Sequence, residues 1–580
     1  MKSRLLLLTV LAFVSALLAF RINERTIPKQ SIAATRNYSI KNSIRCSPDW
    51  NKLKEWIEES DIPPIPGTGN YKWKISTRND SAQFYFNQGI NMYYSFHIIE
   101  AMASFKKAAK FDPDCAMLEW AMALAFGPNI NDLGYAASPD ALSAISKAVE
   151  LSLKSTDKEK MLIKAQRDRY SADSTESREN LNQLYVDRMK EVYEKYPADP
   201  DVCALYADAL MLQHPWDLWK TDGTPKLWTP LIRNVLEKLL AKTPNHPGAN
   251  HYYIHVMEPS PFAAKALPCA DRLGKLLPGL SHVVHMPSHI YLRTGNYTKG
   301  ISVNEAAVNS YEKTIPLYAP VTGADFLYII HNLHMKSNHA MLAGRSAYSS
   351  LSANETVKSI PKDYLSISGA MGNAIQYIYM TPTLVNIRFG EWGKILEGAE
   401  PNSSLIYANT LYHFAMGMAK ANKMRIDEAK DELKLMRDLM KDSSLAIPFT
   451  PFSAAIKGAI VAENLLTGTI ALKEKRINEA IAAFTKAVLT EENMVYDEPR
   501  DWLLNPKHYL GNAYIKAGRY DEAIKTFQKD LLNNKENGWA LFGSWQSLSA
   551  QKKTMEAAKM LVRFRKAFEK SDIKLSGPVF

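Results

Sequence analysis

The stretch "GNAYIKAGRYDEAIKTFQKDL", residues 511–531, decides the fold. Gly511, Tyr514, Ala523 and Phe527 take positions 8, 11, 20 and 24 of a 34-residue unit that starts at residue 504. Small residues at 8 and 20 let two antiparallel helices approach closely, and an aromatic residue at 24 fills the gap toward the next pair. The same template fits a unit starting at 82, with Gly89, Ala101, Phe105, Ala108 and Pro113. It fits again at 461, with Gly468, Ala480, Phe484 and Ala487, and at 410, with Gly417, Ala429 and Leu433. One helix pair has too small a core to stand alone, so the units must stack into a superhelix with a concave groove. The expected class is all-α, an α-solenoid of stacked antiparallel helix pairs.

Composition agrees with a large folded chain. Of 580 residues, 46% are hydrophobic and 23% charged, and the net charge is +11. The basic residues are spread without a long Lys/Arg run, so they read as solvated helix faces, and no nucleic-acid partner is expected. The N-terminus "MKSRLLLLTVLAFVSALLAF" places Lys2 and Arg4 before an uncharged run from Leu5 to Phe20. This is the pattern of a signal peptide or signal anchor over residues 1–20, which predicts an extracytoplasmic location, periplasmic or secreted. Membrane attachment is expected only if that segment stays uncleaved, and no other stretch reads as long and apolar enough to span a bilayer. Cys46, Cys115, Cys203 and Cys269 have no C-x-x-C spacing, which argues against a zinc ribbon; one or two disulfides stay open in an oxidising compartment, but Cys115, Cys203 and Cys269 lie in helical patterns and are expected in the core. Residues 21–80 read as an extended N-terminal segment, with "DIPPIPGTGNY" (61–71) rich in proline. Residues 81–345 read as an N-terminal array and 346–580 as a C-terminal array. Three stretches interrupt the pattern: 214–230 as a structured Trp-rich insert, 318–325 as a loop, and 345–364 as a bend between the halves.

The repeat resembles the tetratricopeptide repeat (TPR). The chain from about 80 to 570 is similar to large bacterial TPR proteins with a His-rich central segment. The resemblance rests on "FDPDCAMLEWAMALAFGPNIN" (111–131), "HYYIHVME" (251–258), "HVVHMPSHIYLRTGNY" (282–297), "YDEPRDWLLNPKHYLG" (496–511) and "ENGWALFG" (536–543). It implies the fold, and it implies a protein-interaction module more readily than an activity. It also implies that positions 2, 5 and 9 of each first helix face the concave groove.

Nine of the 13 histidines fall between His246 and His339, where even spacing would place about two. They are in phase with the repeat. In a unit starting at 247, His251 and His255 take positions 5 and 9. In the next, starting at 281, His282, His285 and His289 take positions 2, 5 and 9. In a third, starting at 330, His331 and His334 take positions 2 and 5, with His339 turned away. The spacing i, i+3, i+7 is one helix face. These seven imidazoles are expected to face one groove and to bind a transition metal (Zn, Cu or Fe), because neutral imidazole is the commonest protein ligand for such ions. Glu258 is the candidate carboxylate ligand or general base. His97, His214, His246, His413 and His508 read as packing or surface residues.

Three functions are therefore open. The first is an exported scaffold whose groove binds a peptide, protein or small-molecule ligand through the metal. The second is a metal-dependent enzyme, a hydrolase or a copper or iron oxidase, using the same histidines. The third is a metal-free peptide-binding module. No P-loop, G-x-S-x-G or H-E-x-x-H motif offers another chemistry.

Overall fold

The computed structural model describes residues 48, 50–131, 135, 137–173, 175–318, 326–500 and 502–580. The signal segment and Cys46 lie outside the described residues, as does most of the loop expected at 318–325. Residues 42–580 form one compact unit. Among the described residues it is all α, with no strand and only two isolated β-bridges, Trp219 to Pro225 and Phe449 to Phe452.

The small-residue rule explains the pairing. The Pro506–Lys516 helix packs antiparallel on Tyr520–Asn533, and the buried ring of Phe527 lies where a side chain on Gly511 or Gly543 would be. Gly89 faces Phe105 and Gly468 faces Phe484 in the same way. Ala101, Ala429, Ala480 and Ala523 are completely buried. Helix pairs of this kind follow one another along the chain, an α-solenoid of TPR type. The buried apolar side chains gather into two large clusters, one running from Trp50 to Tyr318 and the other from Met341 to Phe568.

Several expectations change. The segment expected to be extended over 21–80 contains the Trp50–Glu59 helix, and the proline-rich chain that follows it runs without regular structure to the Asp80–Tyr93 helix. The stretch 345–364 is not a bend. Most of it is the Ser346–Ser359 helix, which packs on His331–Leu342 as its repeat partner. Its buried face is small, with Ser349, Ser352, Ala353 and Thr356, so the helices come close enough for Ser337 Oγ to donate to the Ser349 carbonyl at 3.0 Å. The expected array boundary between 345 and 346 thus falls in the turn inside this pair. The helix Ala455–Lys473 is long and apolar enough to cross a bilayer, against expectation. It is the first helix of a repeat pair and buries Gly468 against Phe484. The Trp-rich insert is ordered by its indoles, since Trp219 Nε1 donates to Val256 O at 2.7 Å and Trp228 Nε1 to Asp217 O at 2.8 Å. Cys115, Cys203 and Cys269 are buried free thiols.

Candidate metal centre

Three consecutive first helices carry the histidines. Pro247–Met257 starts at His246, whose Nδ1 accepts from Ala249 N at 3.1 Å, with Pro247 at the first turn where its missing N–H costs nothing. His251 and His255 stand one turn apart on it. The next first helix comes in two segments, Ser281–His285 and Pro287–Thr294, joined at Met286. Pro287 lacks the N–H that would continue the ladder. This helix carries His282, His285 and His289 and stops at Gly295, whose φ of 77° admits no side chain without strain. His331–Leu342 carries His331, His334 and His339.

Six of the seven expected ligands meet in two trios. In the first, His251 Nε2 lies 3.0 Å from His255 Nε2 and 3.1 Å from His282 Nε2. In the second, His285 Nε2 lies 2.8 Å from His289 Nε2 and 3.1 Å from His331 Nε2. Each trio thus combines an i, i+4 pair with one residue from a neighbouring first helix. The trios adjoin: the rings of His282 and His285 are 6.2 Å apart, and those of His255 and His289 are 6.5 Å apart. His334 borders the same space but belongs to neither trio, and its Nε2 has no protein partner. His339 points away, with Nε2 3.1 Å from Ser288 O, as the repeat phase requires.

The tautomers follow from the far side of each ring. His251 Nδ1 is 2.7 Å from the Tyr94 carbonyl, which can only accept, so Nδ1 carries the proton and Nε2 offers a lone pair. His285 Nδ1 is 2.6 Å from Asn304 Oδ1, and that amide is oriented by its Nδ2 donating to Gly300 O at 2.8 Å. His285 Nε2 is therefore also a bare lone pair. These two nitrogens are the centres of their trios, and each faces two more ring nitrogens. A cation at the meeting point satisfies all three at once. Bonds of about 2.0–2.1 Å from a tetrahedral ion would hold ligand nitrogens ~3.3 Å apart, close to the separations above.

Two carboxyls stand behind the rings. Glu258, at the end of its helix, turns inward and is fully buried, with Oε1 3.1 Å from His255 Nδ1. Glu498 Oε2 is 2.7 Å from His289 Nδ1, and Glu258 Oε2 is 3.1 Å from the same nitrogen without a hydrogen-bonding angle. Both act on the Nδ1 side, away from the converging Nε2 atoms, where Glu258, His289 and Glu498 form a third group of close donor atoms. Tyr496 donates to the other oxygen of Glu498. Phe96 lies over the first trio, its ring 4.5, 5.8 and 5.6 Å from those of His251, His255 and His282.

Burial sets the protonation. It pushes His251, His289 and His334 down to about 3 and holds His255, His282, His285 and His331 well below the usual imidazole range, aided in these four by their neighbouring imidazoles. Neutral imidazole is the form that binds metal. Burial also raises Glu498 to about 8 and Glu258 well above the carboxylate range, the latter further by the charge of Glu498.

A cavity of about 210 Å³ adjoins the trios. His255 and His282 of the first trio and His289 and His331 of the second border it. The rest of its lining is largely apolar and aromatic, including Trp216, Met371, Tyr377, Ile378, Phe449 and Phe452, and among the described residues no Lys or Arg lines it. The concave face is thus closed down to a pocket by later repeats. Sequence reading missed Glu498, Asn304, Phe96 and Trp216 as parts of this site. "YDEPRDW" (496–502) carried a signal, since three acidic or phenolic groups precede a proline between helices. Asn304 and Phe96 carried none.

Residues 508–531 match the family model "Tetratricopeptide repeat". No curated protein sequence is matched by the chain. Among solved structures, the chain is similar to the human IFIT1 dimer with m7Gppp-AAAA, at 11% identity over 85% of this chain and 91% of that one, TM-score 0.30. It is also similar to the APC/C hetero-tetramer Cut9-Hcn1, at 12% identity over 85% and 74%, TM-score 0.28. A third is the TPR domain of P58(IPK), at 12% identity over 82% and 99%, TM-score 0.21.

Proposed function

We propose that the chain, whose residues 508–531 match the tetratricopeptide repeat, uses its repeat scaffold to hold a pair of transition-metal ions that bind a small ligand in the adjoining cavity. The carrying observation is the convergence of two histidine trios on the Nε2 lone pairs of His251 and His285. Three imidazoles per ion leave coordination positions free, and the cavity lies on that side, an arrangement suited to catalysis more than to a purely structural ion. The lining selects the ligand. Mostly apolar and aromatic, with no Lys or Arg among its described residues, it suits a small ligand with apolar surface that meets the ions directly. The site is compact, which favours a small molecule over an extended peptide. The apolar leader with Lys2 and Arg4 supports work outside the cytoplasm, and fractionation that finds the full-length chain soluble in the cytoplasm would reject that part.

The test is metal analysis of untagged protein alongside a His285→Ala, His289→Ala double variant. Native protein is expected to carry or take up two transition-metal ions per chain, and the variant to lose the one held by His285, His289 and His331 while its circular dichroism stays helical. Failure of the native protein to take up any such metal would sink the reading and leave a metal-free binding surface.

A further inference from the structure

Resting on that metal reading, we propose that the paired trios are a copper(I) pair that binds dioxygen between the two ions. The argument begins with charge. All six donor atoms at the meeting points are neutral imidazole nitrogens, and the two nearby carboxyls bond the opposite, Nδ1 face of the rings. No anion stands among the six donors, and the carboxyls of Glu258 and Glu498, which form a third group of close donors with His289 Nδ1, reach the ions only through the rings of His255 and His289. The cost of burying an ion rises with the square of its charge, so two dications are far more costly here than two monocations. Copper is the imidazole-binding metal that enters as a stable monocation, and three nitrogens complete its coordination without a further anion.

The ligand follows from the same geometry. The two trios adjoin, with rings 6.2 and 6.5 Å apart, and Glu258 links them only on the Nδ1 side, 3.1 Å from His255 and 3.1 Å from His289, so it does not stand between the converging Nε2 atoms. A bridge must come from the cavity. Dioxygen is small, neutral and apolar, and it can be held by both ions at once. In the step proposed, each copper(I) gives one electron and becomes copper(II). Dioxygen takes both electrons, keeps its O–O bond and is held as a dianion between the two ions. Charge and atoms balance with no proton and no external reductant. Phe96 stacks on His255 and His282 and meets His251 edge-on, so one side of the first trio is covered by an apolar ring.

The experiment loads metal-free full-length protein with copper(I) or zinc(II) under anaerobic conditions, measures bound metal by mass spectrometry, and then admits oxygen. Two copper ions per chain, uptake of one O2 per two coppers, and copper(II) silent in electron paramagnetic resonance through coupling are the expected results. His331→Ala should retain one copper and take up no O2. Copper bound without O2 uptake, or uptake that leaves all the copper visible as isolated copper(II), would overturn the proposal. Zinc binding without copper(I) binding would overturn it while leaving the metal reading intact. Binding of neither metal would remove both.

Discussion

His289 and Glu498 meet at 2.7 Å across 209 residues of chain. A loop of a late repeat thereby fixes the ring of an early one, and the carboxylate polarises that imidazole toward the ion it would hold. Replacing Glu498 with Ala is expected to weaken metal binding roughly 10–100-fold with little loss of helix. Asn304→Ala should do the same through His285, whose Nδ1 proton it fixes. Competition titration against a chelator measures both.

His334 gives the opposite expectation. It borders the cavity yet reaches neither trio. His334→Ala should keep full metal occupancy, whereas His251→Ala and His285→Ala should each lose an ion. Elemental analysis of the three variants separates ligands from lining.

The protein without metal should be most stable near pH 6.5. Ten imidazoles (His214, His251, His255, His282, His285, His289, His331, His334, His339 and His508) have folded pKa values below the ordinary value. As pH falls below about 6.5 the unfolded chain takes up protons that the folded chain refuses, and stability drops by about 1.4 kcal/mol per pH unit for each such group that stays neutral in the fold. Glu258 and Glu498 act the other way, since their folded values are raised. Their contribution is present below the ordinary glutamate range and is lost as pH rises toward about 8 for Glu498. On the acid side the ten imidazoles outweigh Glu258, Glu498 and Asp208, a carboxyl that burial raises to about 6, while the loss from the glutamates continues toward about pH 8. Melting temperatures of chelator-treated protein from pH 4 to 9 should therefore fall steeply to acid and gently to base.

The repeat itself is testable at Gly511. A methyl group there overlaps the ring of Phe527, which cannot retreat because Gly543 holds its other side. Gly511→Ala and Ala523→Leu are each expected to cost ~1–3 kcal/mol by overpacking, read from urea denaturation midpoints.

The fold was legible because steric demand writes itself at fixed spacing. A glycine must sit opposite Phe105, Phe484 and Phe527, so the period survives wherever helices touch. The histidines were legible for the same reason: equal phase in successive repeats gives equal direction. Two clusters of three were open from the sequence, but which histidines share a trio was not legible, because that depends on how neighbouring first helices are placed against one another. Glu498, Asn304 and Phe96 reach the site from a distant loop, a second helix and a turn, positions that no local period ties to the histidines. Ser346–Ser359 was missed because its contact face is built of Ser, Ala and Thr, which mimic a loop in composition while serving close helix approach.

The two trios share one piece of backbone. His282 belongs to the first and His285 and His289 to the second, all within the run from Ser281 to Thr294. A change in the backbone of that short run therefore reaches both trios at once, and substitutions of its three histidines need not act additively.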